Sequence, residues 1–139
     1  MATFASSEEV EKIVGGFLEQ AIARPDFIKK FADTQTIFRI TYTNPEVIVW
    51  LDCKHDPPRV VYGADTGLAQ DVSVQMEADL ANRFWLGKLN LALAMAQRQV
   101  KTKGPTAKMM KLVPLLRPLF GEYKVYLARM GRDDLLASA

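Results

Sequence analysis

A chain of 139 residues with 49% hydrophobic and 24% charged residues suits one domain, residues 1–139, that buries roughly 68–70% of its unfolded surface. The composition excludes wholesale disorder. A single Cys and a single His exclude an internal disulfide and any zinc site built on paired histidines, so no metal or cofactor is expected. The net charge of +2 looks featureless.

Ser6-Ser7-Glu8-Glu9 reads as a capping box. Val10, Ile13, Val14, Phe17, Leu18, Ala21 and Ile22 then recur at helical spacing, interrupted by Gly15-Gly16, and Pro25 opens a second short helix. From Thr36 the period becomes two, with Phe38, Ile40 and Tyr42 sharing a face opposite Arg39 and Thr41. Three further β-rich runs follow: Val47–Leu51, Arg59–Tyr62 and Asp71–Met76. Short turns between them predict an antiparallel meander with one covered face. The helical period returns over Ala78–Leu86, ended by Gly87. Asn90 caps a helix to about Arg98, Val100–Lys103 makes a fifth strand, and Thr106 opens a helix that Pro114 and Pro118 cut, leaving it short or kinked. A last helix is expected from Glu122 to Gly131, with residues 133–139 fraying. The fold class is α+β.

The modest net charge hides a split. Between Leu80 and Gly121 there is no Asp or Glu, while Arg83, Lys88, Arg98, Lys101, Lys103, Lys108, Lys111 and Arg117 give that stretch +8 and leave −6 for the remainder. Such asymmetry points to an anionic partner. Nucleic acid is disfavoured because no aromatic stacking motif is interleaved with the basic residues. An anionic lipid surface or an acylated phosphate fits the charge, although lysines on an edge strand also discourage aggregation.

Catalysis has little to work with. Asp52, Cys53 and His55 would place a thiol and an imidazole on one face if their strand continued, but they meet a Pro-Pro turn, and a nucleophile needs a base that is itself oriented. No enzyme is expected. Gly63 to Gly67 is neither a phosphate-binding loop nor a dinucleotide fingerprint.

The apolar inventory of the C-terminal helices says more. Phe84, Trp85, Leu86, Leu89, Leu91, Leu93, Met95, Met109, Met110, Leu112, Val113, Leu115, Leu116 and Leu119 either cover the sheet or line a pocket, since Met and Leu adapt to variable apolar ligands. Each methylene buried in such a pocket contributes about 0.8 kcal/mol.

Gly87-Lys88-Leu89-Asn90, Ala94, Gln97, Val100-Lys101-Thr102-Lys103-Gly104 and Met110-Lys111-Leu112 run without a gap in a pattern that resembles the C-terminal half of the sterol carrier protein type-two domain. The resemblance implies a five-stranded, largely antiparallel sheet covered on one face by helices, with an apolar tunnel between the layers. It implies non-catalytic binding and transfer of a fatty acid, acyl-CoA, sterol-like or other apolar ligand, or else a substrate-presenting accessory module with a largely filled pocket beside a partner enzyme. Phe84, Trp85, Leu89, Leu93, Met109, Met110, Val113 and Leu116 are the expected lining. Strand residues of the Phe38 or the Val72 face would form its floor. Lys101, Lys103, Lys108 and Lys111 are the expected contacts to an anionic head group or membrane surface. Two departures stand out: Arg98 occupies a place where the family commonly has Gly, and Lys108 one that is usually apolar. The absence of a peroxisomal C-terminal address, of a secretory signal and of about 20 consecutive apolar residues leads to the expectation of a cytoplasmic, prokaryotic member.

Overall fold

A computed structural model describes residues 4–137. The first helix begins where Ser6 predicts: its Oγ accepts from the Glu9 amide at 3.2 Å, and the Glu9 carboxylate accepts in return from the Ala5 amide at 3.4 Å. Helix α1 (Ser7–Val10) passes through a π-helical segment (Glu11–Gly15) into α2 (Gly16–Ala23). The glycine pair that weakens a helix on propensity alone is explained by close packing. A Cβ at Gly15 would lie 2.6 Å from Cε1 of Tyr62, so the helix approaches the sheet only because no side chain intervenes. Lys12, in the π segment, has its carbonyl capped by the Tyr126 hydroxyl at 2.9 Å. Helix α3 (Ile28–Asp33) starts three residues after Pro25.

Strands β1 (Ile37–Thr43), β2 (Val47–Asp52), β3 (Arg59–Tyr62), β4 (Val72–Glu77) and β5 (Lys101–Lys103) form one sheet in the order β3-β2-β1-β4-β5. The expected antiparallel meander holds for β1, β2 and β3 only. Instead of adding beside β3, β4 pairs in parallel with β1, which converts β1 from an edge strand into the centre. Residues 63–71 therefore cross three strand spacings, about 14 Å. They start at Trp50, which is buried on the face opposite Phe38 and Ile40 and donates from Nε1 to the Gly63 carbonyl at 2.6 Å. Asp71 makes the junction: its amide donates to the Ile37 carbonyl at 2.9 Å, and its carboxylate accepts from the Ile37 amide at 2.9 Å and pairs with Lys54 at 2.9 Å.

After β4 come α4 (Ala78–Trp85) and α5 (Leu91–Ala96), then, beyond β5, α6 (Thr106–Leu116), a 3-10 turn (Arg117–Leu119), α7 (Phe120–Arg129) and α8 (Asp133–Ala137). Helix α6 is not cut at Pro114 but runs through it, leaving the Met110 carbonyl without its usual i+4 amide donor; the break comes at the 3-10 turn. The segment expected to fray is instead helical over Asp133–Ala137, with Leu135 fully buried and its carbonyl bound by Asn82 Nδ2 at 3.0 Å. Residues 138–139 lie outside the described residues. Asn82 also accepts from the Tyr123 hydroxyl at 2.7 Å, so one buried amide joins α4, α7 and α8.

Helices α4 and α5 end in the same way. Lys88 donates to the Arg83 carbonyl across Gly87, at φ +76°, and Gln99 donates to the Ala94 carbonyl across Arg98, at φ +62°. This closure requires a left-handed residue, the conformation that glycine adopts at no steric cost. Two outcomes follow. Because Arg98 is exposed, Arg98→Gly should raise stability by about 1 kcal/mol in chemical denaturation; unchanged or lower stability would contradict the strain.

The Asp71 carboxyl is held below its ordinary range, first by the Ile37 amide and then by Lys54. Its contribution is complete above the unfolded carboxylate value of about 3.9 and is lost as pH falls through the lowered folded value. Asp71→Asn should therefore lower stability at neutral pH and flatten its acid dependence below about pH 4; an unchanged acid limb would remove this role.

Candidate functional site

The register Ile40↔Val74 and Tyr42↔Met76 turns both strand faces named from the sequence to the same side. These residues and Phe38 make the floor of a cavity of about 70 Å³. Ala81, Phe84 and Trp85 of α4, Leu91 of α5, and Met109, Leu112, Val113 and Leu116 of α6 complete it. No charged side chain lines it, and burial pushes the phenol of Tyr42, the one floor residue with a polar tip, upward and keeps it neutral. Edge-to-face aromatic contacts stiffen one end: Phe17 to Trp85 at 5.1 Å, Phe84 to Trp85 at 5.4 Å and Phe84 to Phe120 at 5.2 Å.

Outside lies a larger groove of about 570 Å³, lined by Phe84, Leu89, Asn90, Leu91, Ala92, Met95, Met110, Val113, Arg117 and Phe120. Phe84, Leu91 and Val113 line both spaces and are the partition between them. Met110 is 53% exposed because it faces this open groove.

The sequence-derived residues divide accordingly. Trp85, Met109 and Leu116 line the cavity, Leu89 and Met110 the groove, and Phe84 and Val113 both. Leu93 lines neither: it is 51% exposed, because the short α5 turns Ala94 inward instead. Sequence reading missed Ala81, Leu91 and Leu112 as lining residues. Leu91 and Leu112 belonged to the same apolar inventory, and only the helix phase separates them from Leu93.

The basic residues depart further from expectation. Thr102 is the cross-strand partner of Val74, on the cavity side, so Lys101 and Lys103, partners of Gln75 and Ser73, leave from the opposite face. Lys108 acts on the Asp71 carboxylate. Lys111 is exposed and lines neither space. The cation in the groove is Arg117.

Cys53 and His55 are not brought together, because the strand ends at Asp52. Cys53 is fully buried, while His55 is exposed with Nδ1 2.8 Å from the Pro57 carbonyl. Asp52 is committed to the turn, accepting from the amides of Lys54 and His55 at 3.1 Å and pairing with Arg59 at 3.2 Å. Among the described residues no group of His, Cys, Asp and Glu could hold a metal ion, and no helix is long and apolar enough to cross a membrane.

The family model described as the SCP-2 sterol transfer family matches residues 17–117. The chain belongs to this family. Its fold is similar to three solved SCP-2 structures. The sterol carrier protein domain 2 of Helicoverpa armigera is 23% identical, with 81% of this chain and 89% of that one covered and a TM-score of 0.67. The apo sterol carrier protein 2 of Yarrowia lipolytica is 18% identical, with 76% and 88% covered and a TM-score of 0.63. The palmitated SCP2L2 of Aedes aegypti is 17% identical, with 77% and 93% covered and a TM-score of 0.58. No curated protein matches the chain. Family membership gives lipid binding and transfer as the general class of function.

Burial pushes the Cys53 thiol up to about 11. A maleimide at pH 7.5 should therefore leave the native protein unlabelled and label it fully once denatured. Rapid native labelling would overturn the buried, unreactive assignment.

Proposed function

We propose that the protein is a non-catalytic lipid carrier whose ligand occupies the cavity and the outer groove as one continuous space. The observation that carries this reading is the shared partition of Phe84, Leu91 and Val113. The cavity, about 70 Å³, is less than half of the roughly 150 Å³ that admits a benzene. A long chain therefore requires the partition to move aside and merge it with the groove. Phe84 is held by its aromatic contacts, whereas Leu91 and Val113 are apolar and belong to separate helices, so movement of either enlarges the opening without exposing a buried charge. Leu89 and Met110 would then contact the outer part of the chain, and Trp85, Met109 and Leu116 the inner part. The palmitated state of the mosquito SCP2L2 supports a single-chain ligand on this fold.

The small volume also favours a second reading, an accessory module with a filled cavity that presents itself to a partner enzyme. Ligand binding separates the two. Titration with cis-parinaric acid should saturate and quench Trp85, while Trp50, on the other sheet face, supplies a constant background that Trp85→Phe isolates. Val113→Trp should block binding with the thermal transition retained. Absence of saturable binding to the wild-type protein would sink the carrier reading in favour of the accessory module. Unimpaired binding by Val113→Trp would remove the partition from the path.

A further inference from the structure

We propose that Arg117 sets the ligand class: a single-chain lipid with an anionic carboxylate or phosphate end, held tail inward with that end in the outer groove. This rests on the carrier reading and adds to it a polarity and a charge requirement. Met110, Val113 and Arg117 form an i, i+3, i+7 stripe along α6 into the 3-10 turn, and all three line the groove. Val113 also lines the cavity, so the path outward from the cavity is apolar until it reaches a guanidinium.

Arg117 is the single charged residue of the groove lining, and among the described residues it forms no ion pair. The sequence from Leu80 to Gly121 contains no carboxylate to neutralise it. The other polar side chain of the lining is Asn90. Its Oδ1 accepts from the Leu93 amide at 3.1 Å as the cap of α5, which leaves the amide NH₂ as the group available to a ligand. The side-chain polarity offered by the groove is thus dominated by donors. A charged guanidinium beside an NH₂ donor suits an acceptor-only anion, whereas a hydroxyl or sterol end carries no charge to meet the guanidinium. A guanidinium also meets a carboxylate or phosphate through two parallel N–H donors, which a lysine does not. The lysines first expected in this role stand elsewhere: Lys101 and Lys103 on the far sheet face, Lys108 toward Asp71, and Lys111 outside the lining.

The test compares palmitate, 1-palmitoyl lysophosphatidate and uncharged hexadecanol, each below its micellar concentration. Trp85 emission is read in the wild type, Arg117→Gln and Arg117→Lys. In Arg117→Gln the affinity for each anionic ligand relative to hexadecanol should fall about tenfold, the loss of one charge-assisted interaction, with Arg117→Lys intermediate. The larger fall of the two anions identifies carboxylate or phosphate as the preferred end. Retention of the thermal transition in both variants separates a lost contact from a lost fold. An unchanged ratio in Arg117→Gln overturns the role of Arg117 while leaving the carrier reading standing. Failure of all three ligands to bind the wild type overturns both.

Discussion

The parallel pairing of β1 with β4 is the constraint on which the site depends. Its register puts Phe38, Ile40 and Tyr42 beside Val72, Val74 and Met76 on the helix side. Since side chains alternate along a strand, a one-residue slip of β4 would turn Ser73 and Gln75 into the cavity and Val72, Val74 and Met76 outward, and a slip of β1 would turn Arg39 inward. Asp71 opposes that slip at the first rung, where its backbone and its carboxylate both engage Ile37. On the far face, the guanidinium of Arg39 lies 5.6 Å from the Trp50 ring centroid, so the cation that would be ruinous inside is occupied outside.

Helix packing completes what the register begins. The Asn82 amide, bonded to Tyr123 and to the Leu135 carbonyl, fixes α4 against the C-terminal helices, and the aromatic contacts around Trp85 hold that end of the cavity rigid. Among the described residues no comparable polar tie holds Leu91 or Val113, which complete the partition beside Phe84. The molecule thus combines one stiff wall with one formed by side-chain packing alone, and the groove lies behind the second.

Much of this was legible in the sequence because it is encoded locally. Ser6, Asn90 and Gly87 announce helix ends through capping chemistry, and alternation in Phe38–Tyr42 and Val72–Met76 gives the faces that the sheet buries. The strand order was not legible. A crossover of residues 63–71 and a hairpin loop draw on the same turn residues, and the partner of β4 is chosen by contacts 34 residues away, between Asp71 and Ile37. The lysines show the same boundary between local and non-local information. Their alternation with Thr102 was visible, but which face met the helices depended on pairing with β4. Leu93 and Leu91 are indistinguishable by composition and separated only by the phase of a six-residue helix. Leu135 looked like part of a loose tail because its carbonyl is held by Asn82 of α4, more than 50 residues earlier.

Pro114 gives the softer wall a mechanical character. A regular helix bends only by stretching or breaking a backbone hydrogen bond, whereas α6 lacks that rung between Met110 and Pro114 from the outset. The missing rung lies at the level where Val113 divides the inner space from the outer one. Widening the passage there asks for flexure at a built-in hinge, and the sheet that supports the floor need not loosen.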